Sequence, residues 1–305
     1  MQNKSIDLLG GIPGKTISKI KDDSSVHIQT SDLPNNISLF MNQSNNQDLQ
    51  SKELRQALSE AIDRNTLVNQ VLGGYATPEK NILGENKQNK NLQDIISTLT
   101  SSSFIFKNGV LYSSTKKTAK DIGLNKPVVI KLTTIDNVEI KETANFVATE
   151  WKKIGVETNI EVVDRKNVAS LVKDRSFEIL LFGFSVKENN DYNAFFNSKE
   201  RTYPKLNISN FANKNVDKIL ENLNQNKNGL TSLSQELEDN MPVIILYKPK
   251  YIFASRLLTQ TLINPFLKNE EDRYLSINNW YVKTEKVLSI WKNIPFIDNL
   301  DIILN

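Results

Sequence analysis

The sequence predicts an α/β fold built on a parallel sheet. Three features between residues 127 and 184 carry that expectation: an apolar run behind Pro127, a long amphipathic stretch after it, and two further strand-like runs separated by a second helical pattern. Strands that alternate with helices form β-α-β units, whose crossovers are right-handed and whose strands run parallel. Residues 128–132 (VVIKL) read as the first strand. Ile140, Ala144, Val147, Trp151 and Ile154 then recur at helical spacing, and Gly155 can close that helix. Val156, Thr158, Ile160 and Val162 alternate as the second strand, and Asp164 can cap a helix carrying Val168, Leu171 and Val172. Residues 177–183 (FEILLFG) are nearly all apolar, which predicts a third strand buried on both faces. Ligands of such sheets bind beyond the carboxyl ends of the strands, so Gly183 and the loop after it mark the expected site.

Ahead of this unit, Val26, Ile28 and Thr30 alternate, Pro34 interrupts, and Ile37, Leu39 and Met41 alternate again. Residues 54–74 (LRQALSEAIDRNTLVNQVLGG) form a helical pair. Leu54, Leu58, Ala61 and Ile62 line one face, Asn65-Thr66 can cap a second helix, and Gly73-Gly74 end it. Arg55, Asp63 and Arg64 suggest a packed corner with a local ion pair. Residues 75–108 read as loops with a short helix near 92–99. Later segments give helices over 216–223 and 230–238, a strand over 242–247, and a tail with Trp280, Tyr281 and Trp291.

Composition narrows the function. The chain has 305 residues with 38 basic and 35 acidic side chains, a net charge of +3, too balanced to point to nucleic acid or a membrane surface. It has no cysteine, which excludes disulfides, thiolate nucleophiles and thiolate metal sites within it. His27 is the single histidine, so a multi-histidine metal site is excluded, and its alternating context makes it a strand residue. No apolar run approaches the ~20 residues that span a bilayer, and residues 1–16 lack the apolar core of a signal peptide.

Taken in order, SIDLLGGI, ISLFMN, LRQALSEAIDRNTLVNQVLGGYATP, FEILLFGF, NAFFNS, LNISNFANKNVDKIL and MPVIILYKPKYIFA resemble the family-5 solute-binding proteins of ABC peptide transporters. The resemblance implies a periplasmic-binding-protein-like type II fold of two lobes joined by crossing hinge strands, with the first lobe incomplete. Residues 1–41 would be a remnant of lobe one with a hinge strand. Residues 42–242 would be lobe two. Residues 243–305 would hold the return strand and the end of lobe one. It also implies a truncated protein, or else a fragment or one whose ancestor lost its front half, because the family's signal sequence and much of lobe one have no counterpart here. The full-length protein is expected to be an extracytoplasmic monomer of a lipoprotein family that needs no cofactor and delivers a peptide to membrane permease subunits.

The site expectations also follow from the resemblance. Asp191 would meet the peptide amine, or else serve as a turn residue in an Asn-rich loop. Gly183 would allow close backbone approach and Phe184 would cover the ligand, or the pair would simply end a strand with a core aromatic. Phe195, Asn207 and Phe211 could line the same cleft or be packing. Asn42 and Tyr247 could be hinge or cleft residues on the crossing strands. Two other functions compete. A ligand-sensing domain or peptide-signal receptor would keep the fold. An enzyme would have to use carboxylates such as Glu178 and Asp191, for which no nucleophile elbow, P-loop or metal-spaced cluster offers support.

Overall fold

The structure, a computed structural model, describes residues 5–113, 126–186, 192–223, 228–256, 259–260 and 263–282. Asp191 and Trp291 lie outside the described residues. Along the chain the elements are β1 (Leu8–Gly10), α1 (Gly14–Ile17), β2 (Val26–Asp32), β3 (Asn35–Met41), α2 (Lys52–Glu60), α3 (Arg64–Leu72), β4 (Ala76–Pro78) and α4 (Leu92–Thr100). A small antiparallel sheet follows, β5 (Phe104–Lys107), β6 (Val110–Ser113) and β7 (Lys126–Pro127). Then come β8 (Val129–Ile135), α5 (Val138–Lys153), β9 (Glu157–Val163), α6 (Val168–Asp174), β10 (Ile179–Ser185), α7 (Asn193–Phe196), α8 (Lys214–Glu221), α9 (Gly229–Asn240) and β11 (Val243–Arg256).

The β-α-β-α-β unit is present as expected. β10 pairs parallel to β8, and β8 parallel to β9. Trp151 is fully buried on α5, and its indole N–H donates to the Leu58 carbonyl at 2.9 Å, joining α5 to α2. The third strand begins two residues later than expected, at Ile179. Asp164 precedes a 3-10 turn over Arg165–Asn167 and makes no side-chain cap bond, so α6 starts without it.

β11 organises the molecule. Its first part, Val243 to Tyr247, pairs antiparallel with β3, and its last part, Lys250 to Arg256, pairs with β2. β1 adds to the same last part, and β4 pairs with the middle, Tyr247 to Pro249. Pro34 falls between β2 and β3 where these two strands change partners' surroundings, so the chain crosses from one sheet region to the other twice. Around β2, β1 and the end of β11, one face packs on Ile12, Ile17, Ile20, Ile252 and Ala254, the other on Leu33, Tyr251, Phe253 and Leu267. Around β3, β10 and β8 the two faces are covered by α2–α5 and by α7–α9 respectively.

The helical corner differs from expectation in two details. Asp63, not Asn65-Thr66, caps α3: its carboxylate accepts the Thr66 N–H at 3.0 Å and the Thr66 hydroxyl at 2.7 Å. An aspartate spent on the cap is not paired with an arginine, and Arg55 and Arg64 both donate to backbone carbonyls instead. Gly73 closes α3 in the left-handed conformation, φ 61°, as glycine allows.

Candidate functional site

The carboxyl ends of β8 and β10 point toward the crossing, where Pro34 and Lys248-Pro249 lie. β10 pairs with β3 along its whole length, from Ile179 opposite Met41 to Ser185 opposite Asn35. Its pairing with β8 stops at Leu181 opposite Thr134. Phe182, Gly183, Phe184 and Ser185 therefore run on toward the crossing with one edge bonded to β3 and no strand on the other among the described residues. Gly183 faces Ile37: a Cβ built there would stand 3.3 Å from Ile37 Cδ1, so a side chain would push on the crossing strand.

Phe184 is buried. Its ring meets Phe40 edge-on at 5.7 Å and Phe195 at 5.1 Å. Phe195 is half-buried on α7, and Phe211 is buried in the same cluster. Asn207 is fully buried and staples its loop. Its Nδ2 donates to the Asn197 and Phe211 carbonyls, and its Oδ1 accepts the Phe211 N–H at 3.1 Å. Asn42 sits at the far end of β10 from Gly183. Its amide bonds the Arg175 carbonyl at 3.0 Å and the Ser44 N–H at 3.1 Å. Tyr247 is on the crossing strand but buried, its hydroxyl 3.2 Å from the Thr143 hydroxyl, and burial pushes its pKa well up. The structure thus brings Gly183, Phe184 and Phe195 together, with Tyr247 nearby on the strand opposite Ile37, and sets Asn42 apart.

Glu178 stands before the first residue of β10, away from the crossing. Its carboxylate accepts the Lys131 N–H and the Asn46 amide, both at 2.8 Å. An open cleft of about 810 Å³ lies at that pole, lined in part by Asn46, Asp48, Lys131 and Glu178. It is at the amino ends of the parallel strands, opposite the expected ligand side.

Sequence reasoning missed three buried polar atoms near the crossing. Asn36 on β3, opposite Phe184, has its Oδ1 buried with no hydrogen-bond partner among the described residues. Ser38, opposite Phe182, and Thr134, opposite Leu181, are in the same position. Burying an unpaired acceptor costs about 1–3 kcal/mol, so such atoms point to a water or a ligand that satisfies them. A polar residue at an inward position of an otherwise apolar strand, as in NNISLFM, is the sequence signal that could have found Asn36 and Ser38. Glu139, at the start of α5, accepts the Gly14 N–H at 2.9 Å and ties the segment before β2 to α5. Among the described residues no group of histidine, cysteine, aspartate and glutamate is arranged to hold a metal ion, and no helix is long and apolar enough to cross a membrane.

Comparison with known proteins supplies the context for this geometry. The chain is 25% identical over 228 residues to the nickel-binding protein NikA of Staphylococcus aureus, covering 73% of this chain and 43% of that protein. Its fold matches the oligopeptide-binding protein AppA from Bacillus subtilis, solved with a nonapeptide, at a TM-score of 0.72 and 20% identity, over 93% of this chain and 57% of that one. It matches NikZ from Campylobacter jejuni, solved with Ni(L-His), equally well, at a TM-score of 0.72 and 17% identity, over 92% of this chain and 58% of that one. The chain thus spans about half the length of the relatives it matches, which fits a type II periplasmic-binding-protein fold with an incomplete first lobe. The family described as bacterial extracellular solute-binding proteins, family 5 Middle, matches residues 1–203, two thirds of the chain, and the protein belongs to that family.

Proposed function

We propose that the complete protein carrying this chain is the substrate-binding component of an ABC-type peptide importer, closing two lobes over a peptide and passing it to membrane permease subunits outside the cytoplasm. One observation carries the peptide reading: the half-free edge of β10 from Phe182 to Ser185. An extended peptide can add to such an edge as a further strand, its backbone supplying the N–H and C=O groups that the edge lacks. Recognition through backbone bonds makes or breaks no covalent bond, in keeping with a solute-binding family. Residues 1–41 and 243–305 are proposed to belong to lobe one and 42–242 to lobe two. Asp191, Gly183, Phe184 and Phe195 are proposed as the ligand-side residues. Phe184 acts there through packing, because its ring is buried.

A nickel–histidine chelate is the second reading, favoured by the likeness to NikA and NikZ. Native mass spectrometry of the complete protein as purified separates the two. A spread of co-purified peptide masses is the expected result. A single nickel-containing species with histidine would overturn the peptide assignment while leaving the family unchanged.

A further inference from the structure

The corner that makes the sequence recognisable has a chemistry that its helices do not require. Arg55 and Arg64 are 5% and 2% exposed, and neither forms an ion pair among the described residues. Arg64 Nε–H is shared between the Glu79 and Ile245 carbonyls at 3.0 and 2.8 Å. Its Nη1 donates to the Ser59 and Ile62 carbonyls, and its Nη2 to the Ser59 hydroxyl at 3.1 Å. Arg55 donates twice to the Asn240 carbonyl, at 3.0 and 2.6 Å, and through Nη1 to the Leu49 and Gln50 carbonyls. Burial lowers both guanidinium pKa values to about 10, so both stay charged at neutral pH. Two buried charges bound only to neutral carbonyls and one hydroxyl are costly.

One carbonyl of each arginine bears on β11: Asn240 just ahead of it, held by Arg55, and Ile245 within it, held by Arg64. Asn240 ends α9, where a cation is favoured by the helix dipole, and the chain then turns through Met241 (φ 48°) into β11. Ile245 is where the β11–β3 register shifts, between Ile245 and Tyr247. Tyr247 is the last residue of β11 to pair with β3, Tyr247 to Pro249 pair with β4, and the strand passes to β2 from Lys250. Glu79, the second carbonyl on Arg64 Nε, follows β4 and also pairs its carboxylate with Lys248 at 3.0 Å.

We infer that Arg55 and Arg64 are positioning residues for solute binding: the pair clamps β11 at its entry and at its bulge, and so sets the angle at which this strand carries lobe one relative to lobe two. The inference rests on the two-lobe reading above. The planar fork of arginine suits this task, because it reaches carbonyls on opposite sides at once. A lysine ammonium is a single point with three donors and cannot span Ser59 and Ile245 together.

The absence of cysteine gives a direct test. Asp22→Cys and Lys152→Cys, both exposed and on opposite sides of the crossing, take a pair of spin labels in the otherwise unaltered chain. Arg64→Lys and Arg55→Lys are expected to move or broaden the distance distribution between the labels. Leu99→Ala, in the core of α4 and matched for loss of thermal stability, is expected to leave it unchanged. Lysine variants whose distributions superimpose on the parent, at the same loss of stability as Leu99→Ala, would show ordinary packing and overturn the clamp. If Arg64→Lys does not fold, Arg55→Lys decides. If neither folds, hydrogen exchange in the unaltered chain decides: amides 243–247 must exchange as slowly as those of α5, and faster exchange there rejects the clamp. Adding a peptide mixture or nickel with histidine tests the proposed function separately. Distances that no ligand alters count against that function, whereas the ligand-free comparison alone decides the clamp.

Discussion

The α2–α3 corner and the crossing end of β10 treat polar groups in opposite ways. At the corner, among the described residues, no buried side-chain polar atom lacks a partner. Asp63 caps a helix, the two arginines bind carbonyls, and the Trp151 indole is bonded to Leu58. At the crossing, β10 runs four residues past β8 with no strand on that edge among the described residues, and Asn36, Ser38 and Thr134 bury oxygens that nothing in the described chain satisfies. A region built to hold its shape satisfies itself, whereas a region built to take a ligand keeps bonds in reserve. The family is therefore read most easily from the corner, and the proposed ligand side lies at the other place.

The largest expected effect comes from unsatisfying the corner. Arg64→Met keeps the aliphatic packing but takes away the side-chain donor that the Ile245 and Glu79 carbonyls share. At about 1–3 kcal/mol for each stranded group, denaturant unfolding should show a loss on the order of 3 kcal/mol or more. A loss under about 1 kcal/mol would mean that water reaches those carbonyls and that the corner is less closed than its burial indicates. Trp151→Phe should cost less, about 2 kcal/mol, from the stranded Leu58 carbonyl and the small cavity left by the lost ring. Fluorescence-detected unfolding suits Arg64→Met, and circular dichroism suits the tryptophan variant.

The contrast also explains what was legible. Periodicity and caps are local, so the parallel unit, both helices of the corner and the Gly73 stop could be read from residue spacing. The reach of β11 could not. Lys248-Pro249-Lys250 looks like an interruption, yet Pro249 pairs with Ala76 of a three-residue strand and the strand continues to Arg256. Proline is tolerated in a strand where its missing N–H is not needed by a long partner. Asn42 and Asn207 have the composition of ligand-side residues, but their amides are used up on nearby backbone, which only the folded loop reveals. Phe184 alternates to the apolar face with Phe182 and Leu180, so its commitment to packing was within reach of the pattern. The hairpin β5–β6 was missed because its polar surroundings blur the alternation.

Between the two regions lies Glu139, which is partly satisfied and so should respond to pH. Burial raises its pKa above the ordinary glutamate value of 4.5, opposed by the Gly14 N–H bond, and the neighbouring Glu142 raises it further. The unfolded chain gives up this proton more readily than the folded one. Ionised Glu139 therefore penalises the fold, and the penalty grows as pH rises from about 4.5 through the raised pKa and then stays constant. Glutamine keeps an acceptor for Gly14 and carries no charge. Glu139→Gln should therefore match the parent in melting temperature below that window and exceed it above. A parent that melts higher at neutral pH would mean that the carboxylate charge is favoured by a cation, such as Lys15, which lies 2.5 Å from Glu142.

The smallest expected change in stability is the most informative about function. Asn36 is 9% exposed, sits opposite Phe184 on the crossing strand, and buries an acceptor without a donor. Asn36→Leu replaces it with a side chain of similar size that needs no partner. Exchanging an unsatisfied polar group for an apolar one is neutral or favourable by up to about 1 kcal/mol, so thermal melting should hold or rise slightly. If a bound solute donates to Asn36 Oδ1, the same change should weaken binding roughly tenfold in the complete protein, about 1.4 kcal/mol. Stability and affinity would then move in opposite directions, as expected of a residue kept for a ligand at a cost to the fold. A variant that melts lower and binds unchanged would assign the oxygen to an ordered internal water and return Asn36 to the self-satisfied part of the molecule.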